Sequence, residues 1–323
     1  MTDELAESKG LNVVSKSKSR RAMVLGTGLV QCCGNPACAR AITRHENEVS
    51  YSYDREDASL LTRQYNRFQA HNLGEGMAEY EQSIALMKRR LFGGLRGSEK
   101  EKLTIVELGI GAAPNFKYYG PGRVTKGDKY YGIDINPEMF DYAKESIANV
   151  ERSYLQGVEG VAPFNVTYRL ADVQSTGLPD AFADAVIGTL LLCSVEDQKA
   201  TLAEIRRILK PGGKYYFIEH VGADLGTPLR FAQDVLNPLQ QIVAGGCHLN
   251  RDTSLAIAET FAEGDITQYR FDVLPGKIRF DNGFELDNPE GANFNASLIS
   301  PHISGEATAG DCILKRCPPK VTI

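Results

Sequence analysis

Leu103–Ala113, reading LTIVELGIGAA, is the stretch from which the fold of this chain can be argued. Thr104, Ile105 and Val106 form an apolar run rich in β-branched side chains, the pattern of a buried strand. The run ends in the glycine-rich turn Glu107-Leu108-Gly109-Ile110-Gly111-Ala112-Ala113. Residues this small let a backbone come close to a ligand, because little or no side chain stands in the way. A second apolar run, Tyr130–Ile135, carries Asp134 near its end. An acidic side chain at the end of the next strand can accept hydrogen bonds from both hydroxyls of a ribose. Together these features describe a nucleoside site at the carboxyl edge of a parallel sheet.

Working outward, strands and helices alternate. A helix is expected to begin near Pro114-Asn115, and a second strand runs over about Lys129–Ile135. Pro137 then opens a helix, as a first-turn proline should. A third strand covers Val166–Val173 and ends in Ala171-Asp172, and a fourth covers Ala185–Cys193. The helix from Asp197 to Leu209 stops at Lys210-Pro211-Gly212-Gly213, and strand five is Lys214–Val221. Helices over Pro228–Val243 and Thr253–Ala262 follow, then strands near Ile266–Val273 and Ile303–Thr308. This rhythm predicts a doubly wound α/β sheet with helices on both faces and a ligand outside the strand carboxyl ends. Ahead of it, Leu60, Leu61, Tyr65 and Phe68 recur at helical steps, as do Met77, Tyr80, Ile84, Met87 and Leu91. We read residues 46–100 as a helical extension whose apolar faces pack, with Tyr51, Tyr53 and Tyr65 as contacts of a lid. The remaining division is residues 1–45 as a leader and 101–323 as the main domain.

Taken in register, Glu107-Leu-Gly-Ile-Gly, Gly132-Ile-Asp134, Ala171-Asp172, the run from Asp184 to Cys193 and Leu209-Lys-Pro-Gly-Gly213 resemble a class I S-adenosylmethionine-dependent methyltransferase. A dinucleotide dehydrogenase would favour G-x-G-x-x-G, whereas Ala112-Ala113-Pro114 follows Gly111 here. Leu190–Ser194, Glu219-His220-Val221, Gly246–Arg251 and Ser300–Gly305 resemble more narrowly the methyltransferase-like seven group, whose animal members are thiol S-methyltransferases on membranes. Phe231–Gln241 is similar to plant members labelled UbiE-like and assigned to plastids. The resemblance implies a Rossmann-like, seven-stranded sheet with S-adenosylmethionine as cofactor. It implies that Glu107, Gly109 and Gly111 line the methionine end and that Asp134 holds the ribose. Ile135 or Asn136 would flank the adenine, Asp172 and Val173 its amino group and face, and Thr189 and Leu190 the reactive methyl. Two features depart from the family: Ala113 stands where a glycine is usual, and an extra polar segment spans about Arg279–Asn293.

The implied reaction is an in-line methyl transfer that depends on positioning and a deprotonated nucleophile. The best reading of the acceptor is a small lipophilic thiol. The alternatives are a quinol or phenol methylated on oxygen or carbon, and a membrane-peripheral protein that binds the cofactor without turnover. Neutral histidine can take a proton, so His220 after strand five and His248 after the next helix are the candidate bases, with Asp234 between them. Cys193 reads as a small residue shaping the methyl pocket.

Composition sets the outer bounds. A formal net charge of −5 argues against a nucleic-acid binder. Seven cysteines in 323 residues are too few for a disulfide framework. Cys32, Cys33 and Cys38, with His45, lack paired Cys-x-x-Cys spacing, so no metal site is expected there. Ser19-Arg20-Arg21 before the apolar run Ala22–Cys33 resembles a twin-arginine export signal. Expectations therefore include peripheral membrane contact through the N-terminal segment and a plastid location, with cytoplasmic or endomembrane-peripheral placement as the alternative.

Overall fold

The computed structural model describes residues 60–95, 102–119, 128–155, 164–291 and 298–310. The expectations about the leader, Tyr51, Tyr53 and the Cys32–His45 cluster lie outside these residues. The chain divides into Met1–Ser50 and Tyr51–Ile323, and every described residue belongs to the second unit.

Three helices come first: α1 (Leu60–Glu75), α2 (Ala78–Ser83) and α3 (Ala85–Gly93). Strands and helices then alternate as β1 (Thr104–Leu108), α4 (Phe116–Tyr119), β2 (Lys129–Asp134), α5 (Met139–Leu155), β3 (Asn165–Leu170), β4 (Ala183–Thr189), α6 (Gln198–Ile208) and β5 (Leu209–His220). The chain ends with α7 (Pro228–Val243), α8 (Thr253–Thr260), β6 (Ile266–Leu274), β7 (Lys277–Phe280), β8 (Glu285–Asp287) and β9 (His302–Thr308). All strands join one sheet in the order β3-β2-β1-β4-β5-β9-β6-β7-β8. The first five pair in parallel, and β9 enters antiparallel between β5 and β6.

Because β2 lies on one side of β1 and β4 on the other, the strand order reverses at β1. The loops leaving β1 and β4 therefore part there and open a crevice at the strand carboxyl ends. Two apolar clusters, one on each face, clamp the sheet. Ile105, Ile187 and Ile218 point into one, against Phe92, Phe116 and Tyr119. Val106, Val186 and Phe217 point into the other, against Leu202, Ile205 and Phe261. The alternation along β1 and β4 is the two-residue period of a pleated strand.

The sheet has nine strands rather than the expected seven. The additional pair is the β7–β8 hairpin, which grows out of β6 and contains most of the polar segment noted in the sequence. That hairpin stands at the sheet edge, and the turn after it braces the helical extension. Asn288 Nδ2 donates to the Ser83 carbonyl at 2.6 Å, and Glu290 pairs with Arg89 at 3.1 Å. Several strand limits also differ: β3 ends at Leu170, three residues before the expected Val173, and β4 begins at Ala183 rather than Ala185. Strand β5 starts at Leu209 because that residue pairs with Ala183 across a register shift, and β4 stops at Thr189 because Leu190 turns into a left-handed conformation, φ +55°. On α1, Leu60, Leu61 and Phe68, expected to pack, are exposed instead, and Tyr65 is half exposed at the cavity mouth. Among the described residues, no helix is long and apolar enough to cross a membrane.

Candidate functional site

A cavity of about 840 Å³ opens where the sheet order reverses, between the loops after β1, β2, β3 and β4 and the helical extension. The loop after β1 forms its floor. Gly109, Gly111 and Ala113 all take left-handed backbone angles there, φ +64°, +51° and +55°. The left-handed angle of Gly109 favours glycine, and a Cβ there would also push the end of the Leu191 side chain, 2.9 Å away at Cδ1. Asp134, buried at the end of β2, ties this turn to its own. Its Oδ2 accepts from Gly111 N and its Oδ1 from Asn136 N, both at 2.9 Å. Burial raises the Asp134 pKa, and these backbone donors oppose the rise. Each carboxylate oxygen retains acceptor capacity, which suits the two hydroxyls of a ribose.

Asp172 is held in the same manner, accepting from Gln174 N at 2.9 Å. Gly109, Gly111, Asp134, Ile135, Asn136, Asp172, Val173, Thr189 and Leu190 all line the cavity. Glu107 does not. It is buried beneath the floor, where Asn115 Nδ2 donates to Oε1 at 2.8 Å and the Tyr119 hydroxyl to Oε2 at 2.9 Å. Burial pushes its pKa up to about 7 against those two hydrogen bonds.

The opposite wall comes from the extension, with Tyr65, Asn66, Gln69, Leu73, Met77 and Ala78 facing the space. One hydrogen bond, Asn136 Nδ2 to the Asn66 carbonyl at 2.9 Å, ties α1 to the Asp134 turn. Gln69 is only 5% exposed, yet neither its amide nitrogen nor its amide oxygen has a partner among the described residues. Leaving such an amide unpaired costs about 1–3 kcal/mol, and Gln69 borders the cavity, so a bound ligand would be in reach to supply a partner. Sequence periodicity gave no signal for it, because a glutamine beside a helical apolar stripe looks like an ordinary solvated position.

Glu219 is the second residue that sequence reasoning missed. It is fully buried on β5, and its carboxylate accepts from the backbone N–H groups of Leu191, Leu192 and Cys193 at 2.9, 2.9 and 3.3 Å. It thereby shapes the loop after β4 that carries Leu190 and Leu191 to the cavity. Burial pushes the Glu219 pKa up to about 7 despite these donors.

The two candidate bases, and Asp234 with them, lie off the wall. His220 is buried at the end of β5, with Nε2 2.8 Å from Cys247 Sγ. Cys193 and Cys247 titrate together: hydrogen bonding from Cys193, and then from His220, lowers Cys247, while the same contact and burial raise Cys193. His248 holds the loop instead, its backbone N–H donating to the Cys193 carbonyl at 2.8 Å. Asp234 is on the exposed side of α7, accepting from Arg230 Nε at 3.0 Å and Asn250 Nδ2 at 2.7 Å. Asn250 and Arg230 hold its pKa below the usual carboxylate value. Cys193 stands behind the wall as well, its Sγ 3.3 Å from the Leu190 carbonyl.

Comparison with known proteins agrees with this geometry. A family profile described as a methyltransferase domain matches residues 106–217, the stretch from β1 to β5. Human thiol S-methyltransferase TMT1A is 37% identical over 181 residues, covering 55% of this chain and 68% of that protein. Rat thiol S-methyltransferase TMT1B is 35% identical over 170 residues, which span 51% of this chain and just under two thirds, 63%, of the relative. Among solved structures, a Haloferax volcanii methyltransferase in complex with the Trm112 activator superposes with a TM-score of 0.50. It is 18% identical and covers 76% of this chain and 97% of its own, which shows likeness of fold. A left-handed glycine floor, a ribose-ready aspartate and the cavity above them fit S-adenosylmethionine, and the chain belongs to the class I S-adenosylmethionine-dependent methyltransferases.

Proposed function

We propose that this methyltransferase acts on the sulfur of a small, lipophilic thiol. The observation that carries the reading is the composition of the cavity at the end of β4. Leu73, Met77, Leu190, Leu191 and Val195 wall it, while the histidines nearest that end are engaged behind it. A free thiol, with a pKa of about 8.5, is a few per cent thiolate at neutral pH and needs no dedicated base. A phenolic acceptor, with a pKa near 10, would depend on one. The names of the human and rat relatives point the same way.

When bound, S-adenosylmethionine supplies an electrophilic methyl group on a sulfonium. The residues supply placement. Asp134 would fix the ribose, Asp172 and Val173 would flank the adenine, and Thr189 and Leu190 would stand at the methyl end. An acceptor thiol that had lost its proton to water would take the methyl group as the group's bond to the sulfonium broke, and these residues would align the two reactants. Helix α1, tied down through Asn66, supplies the opposite wall of the space. Holding the reactants near attack distance contributes roughly 7–11 kcal/mol in well-oriented systems.

The test is transfer of labelled methyl from S-adenosylmethionine to an alkyl or aryl thiol and, in parallel, to a quinol, with Asp134→Ala as control. Thiol labelling that disappears in the variant supports the reading. Labelling of the quinol alone refutes it. Silence with both, while calorimetry shows cofactor binding, refutes catalysis on either acceptor class.

The reading extends to peripheral membrane contact, which would deliver such an acceptor. Helix α7 presents Phe231, Val235, Leu239, Ile242 and Val243 to solvent, Phe231 being 73% exposed, and it leads directly into Ala244 and Gly245 on the cavity wall. Flotation with phospholipid vesicles should carry the protein upward, and Phe231→Asp combined with Ile242→Asp should abolish this. Equal flotation of both would sink the idea.

A further inference from the structure

Three side chains from three separate segments converge behind the cavity wall. Cys193 comes from the loop after β4, His220 from the end of β5 and Cys247 from the loop after α7. One donor atom of each lies within 4.8 Å of the other two, and all three residues are buried. Both cysteines are free thiols. The site lies in the interior, where Leu192, Val221 and Leu249 are nearly inaccessible and Glu219 and His302 are buried as well. Buried groups of this kind are kept paired, by hydrogen bonds or by a shared metal ion.

We propose that Cys193, His220 and Cys247 form a three-ligand site for one thiophilic d10 cation, Zn2+ or Cu+. Two thiolates and an imidazole are the donor set that both ions favour. Metal–sulfur bonds of about 2.3 Å and metal–nitrogen bonds of about 2.0–2.1 Å place donor atoms roughly 3.5–3.8 Å apart around one ion. The donors here need shifts of only about 1 Å to reach that spacing. The 2.8 Å contact between His220 Nε2 and Cys247 Sγ opens as the proton between them leaves, because binding releases ligand protons. An outer layer is present as well. Gln240 Nε2 donates to Cys247 Sγ at 3.6 Å, and the Cys193 sulfur sits 3.4 Å from Ser194 Oγ. Hydrogen bonds of this kind orient ligating sulfurs. Two thiolates cancel the charge of Zn2+, which lowers the cost of burying the ion.

The position gives the site a purpose. Leu190, Leu191 and Ser194 on one loop and Ala244 and Gly245 on the other line the cavity, and the ion joins those two loops through Cys193 and Cys247. It is a clamp behind the methyl end of the cavity, joining the loop after β4 to the loop after α7.

The experiment uses the full chain, free of any affinity tag, loaded anaerobically with Zn2+ or with Cu+, desalted, and assayed for metal by mass spectrometry. Five other cysteines, Cys32, Cys33, Cys38, Cys312 and Cys317, lie elsewhere in the sequence, so a variant with those five changed to Ser isolates the proposed pair. That variant is expected to retain about one equivalent of metal, and to show a thiolate-to-cobalt charge-transfer band after Co2+ loading. Adding Cys193→Ser and Cys247→Ser should lower metal content at least about tenfold, and His220→Ala should weaken retention about tenfold. The two loading arms identify the ion. A five-serine variant that unfolds cooperatively yet holds under a tenth of an equivalent of both ions overturns the site. Because that variant keeps all three ligands, it decides the question even if the double cysteine variant does not fold.

Discussion

Glu107→Gln is expected to make the ligand-free protein more stable at pH 8 and to leave it little changed at pH 5. The glutamate is buried, and its pKa is pushed from the ordinary 4.5 to about 7. At about 1.36 kcal/mol per tenfold change in proton affinity, holding the ionised form in the folded state costs about 3 kcal/mol. The folded pKa lies above the unfolded one. The group's contribution is therefore whole below about pH 4.5 and is lost as the pH rises through about 7. Glutamine has nearly the same shape and does not titrate. Every other titrating group is shared by the two proteins, so the difference between their stabilities isolates this carboxyl. Rearranged bonds to Asn115 and Tyr119 add an offset that does not vary with pH. Urea unfolding at pH 5, 6.5 and 8 measures it, and the variant should gain roughly 2–3 kcal/mol on the wild type between the ends. A gap that stays constant across that range, or that narrows toward pH 8, would refute the argument.

Two further substitutions test the cavity. Gln69→Leu removes a buried amide without partners among the described residues. It should raise the stability of the ligand-free protein by about 1–2 kcal/mol and weaken cofactor or acceptor binding about tenfold, as read by denaturation and calorimetry. Loss of stability, or unchanged binding of both ligands, would contradict the role assigned to it. Ala113→Gly removes a Cβ from a left-handed position, φ +55°, where a non-glycine residue costs about 1–2 kcal/mol, less about 0.5–1 kcal/mol for the added chain freedom. Thermal melting should show a gain of up to about 1 kcal/mol, and a clear loss would mean that the methyl group supports packing.

The order of strands and helices was legible because each apolar run ends in turn chemistry: Gly109 and Gly111 after β1, Pro137 before α5, Gly212-Gly213 inside the bend that opens β5. The residues around the cofactor cavity were legible for the same reason, since a loop that leaves a strand end has only one place to go. The catalytic candidates were harder. Sequence puts His220 at a strand end but leaves open which side of the sheet its ring takes, and one position along a strand reverses that side. Glu219 holds a loop that lies 26 to 28 residues away in the chain, a relation no local pattern encodes. Periodicity showed that Leu60, Leu61, Tyr65 and Phe68 share a face, yet said nothing of what covers it. The β7–β8 hairpin left a trace that was passed over: Asp281-Asn282-Gly283 is a hairpin turn signal set between short alternating segments.

That hairpin matters to what the protein avoids. Without it, β6 would end the sheet with a nine-residue row, Ile266–Leu274, of open backbone groups. Such a row is a template for pairing with another chain. The hairpin covers part of it and moves the rim to β8, a strand of only three residues, two of them acidic, too short and too charged to recruit a neighbour. Its place far from the cofactor loops means that shortening it would be felt first as self-association of otherwise competent molecules, visible as concentration-dependent light scattering while the fresh monomer still binds its cofactor.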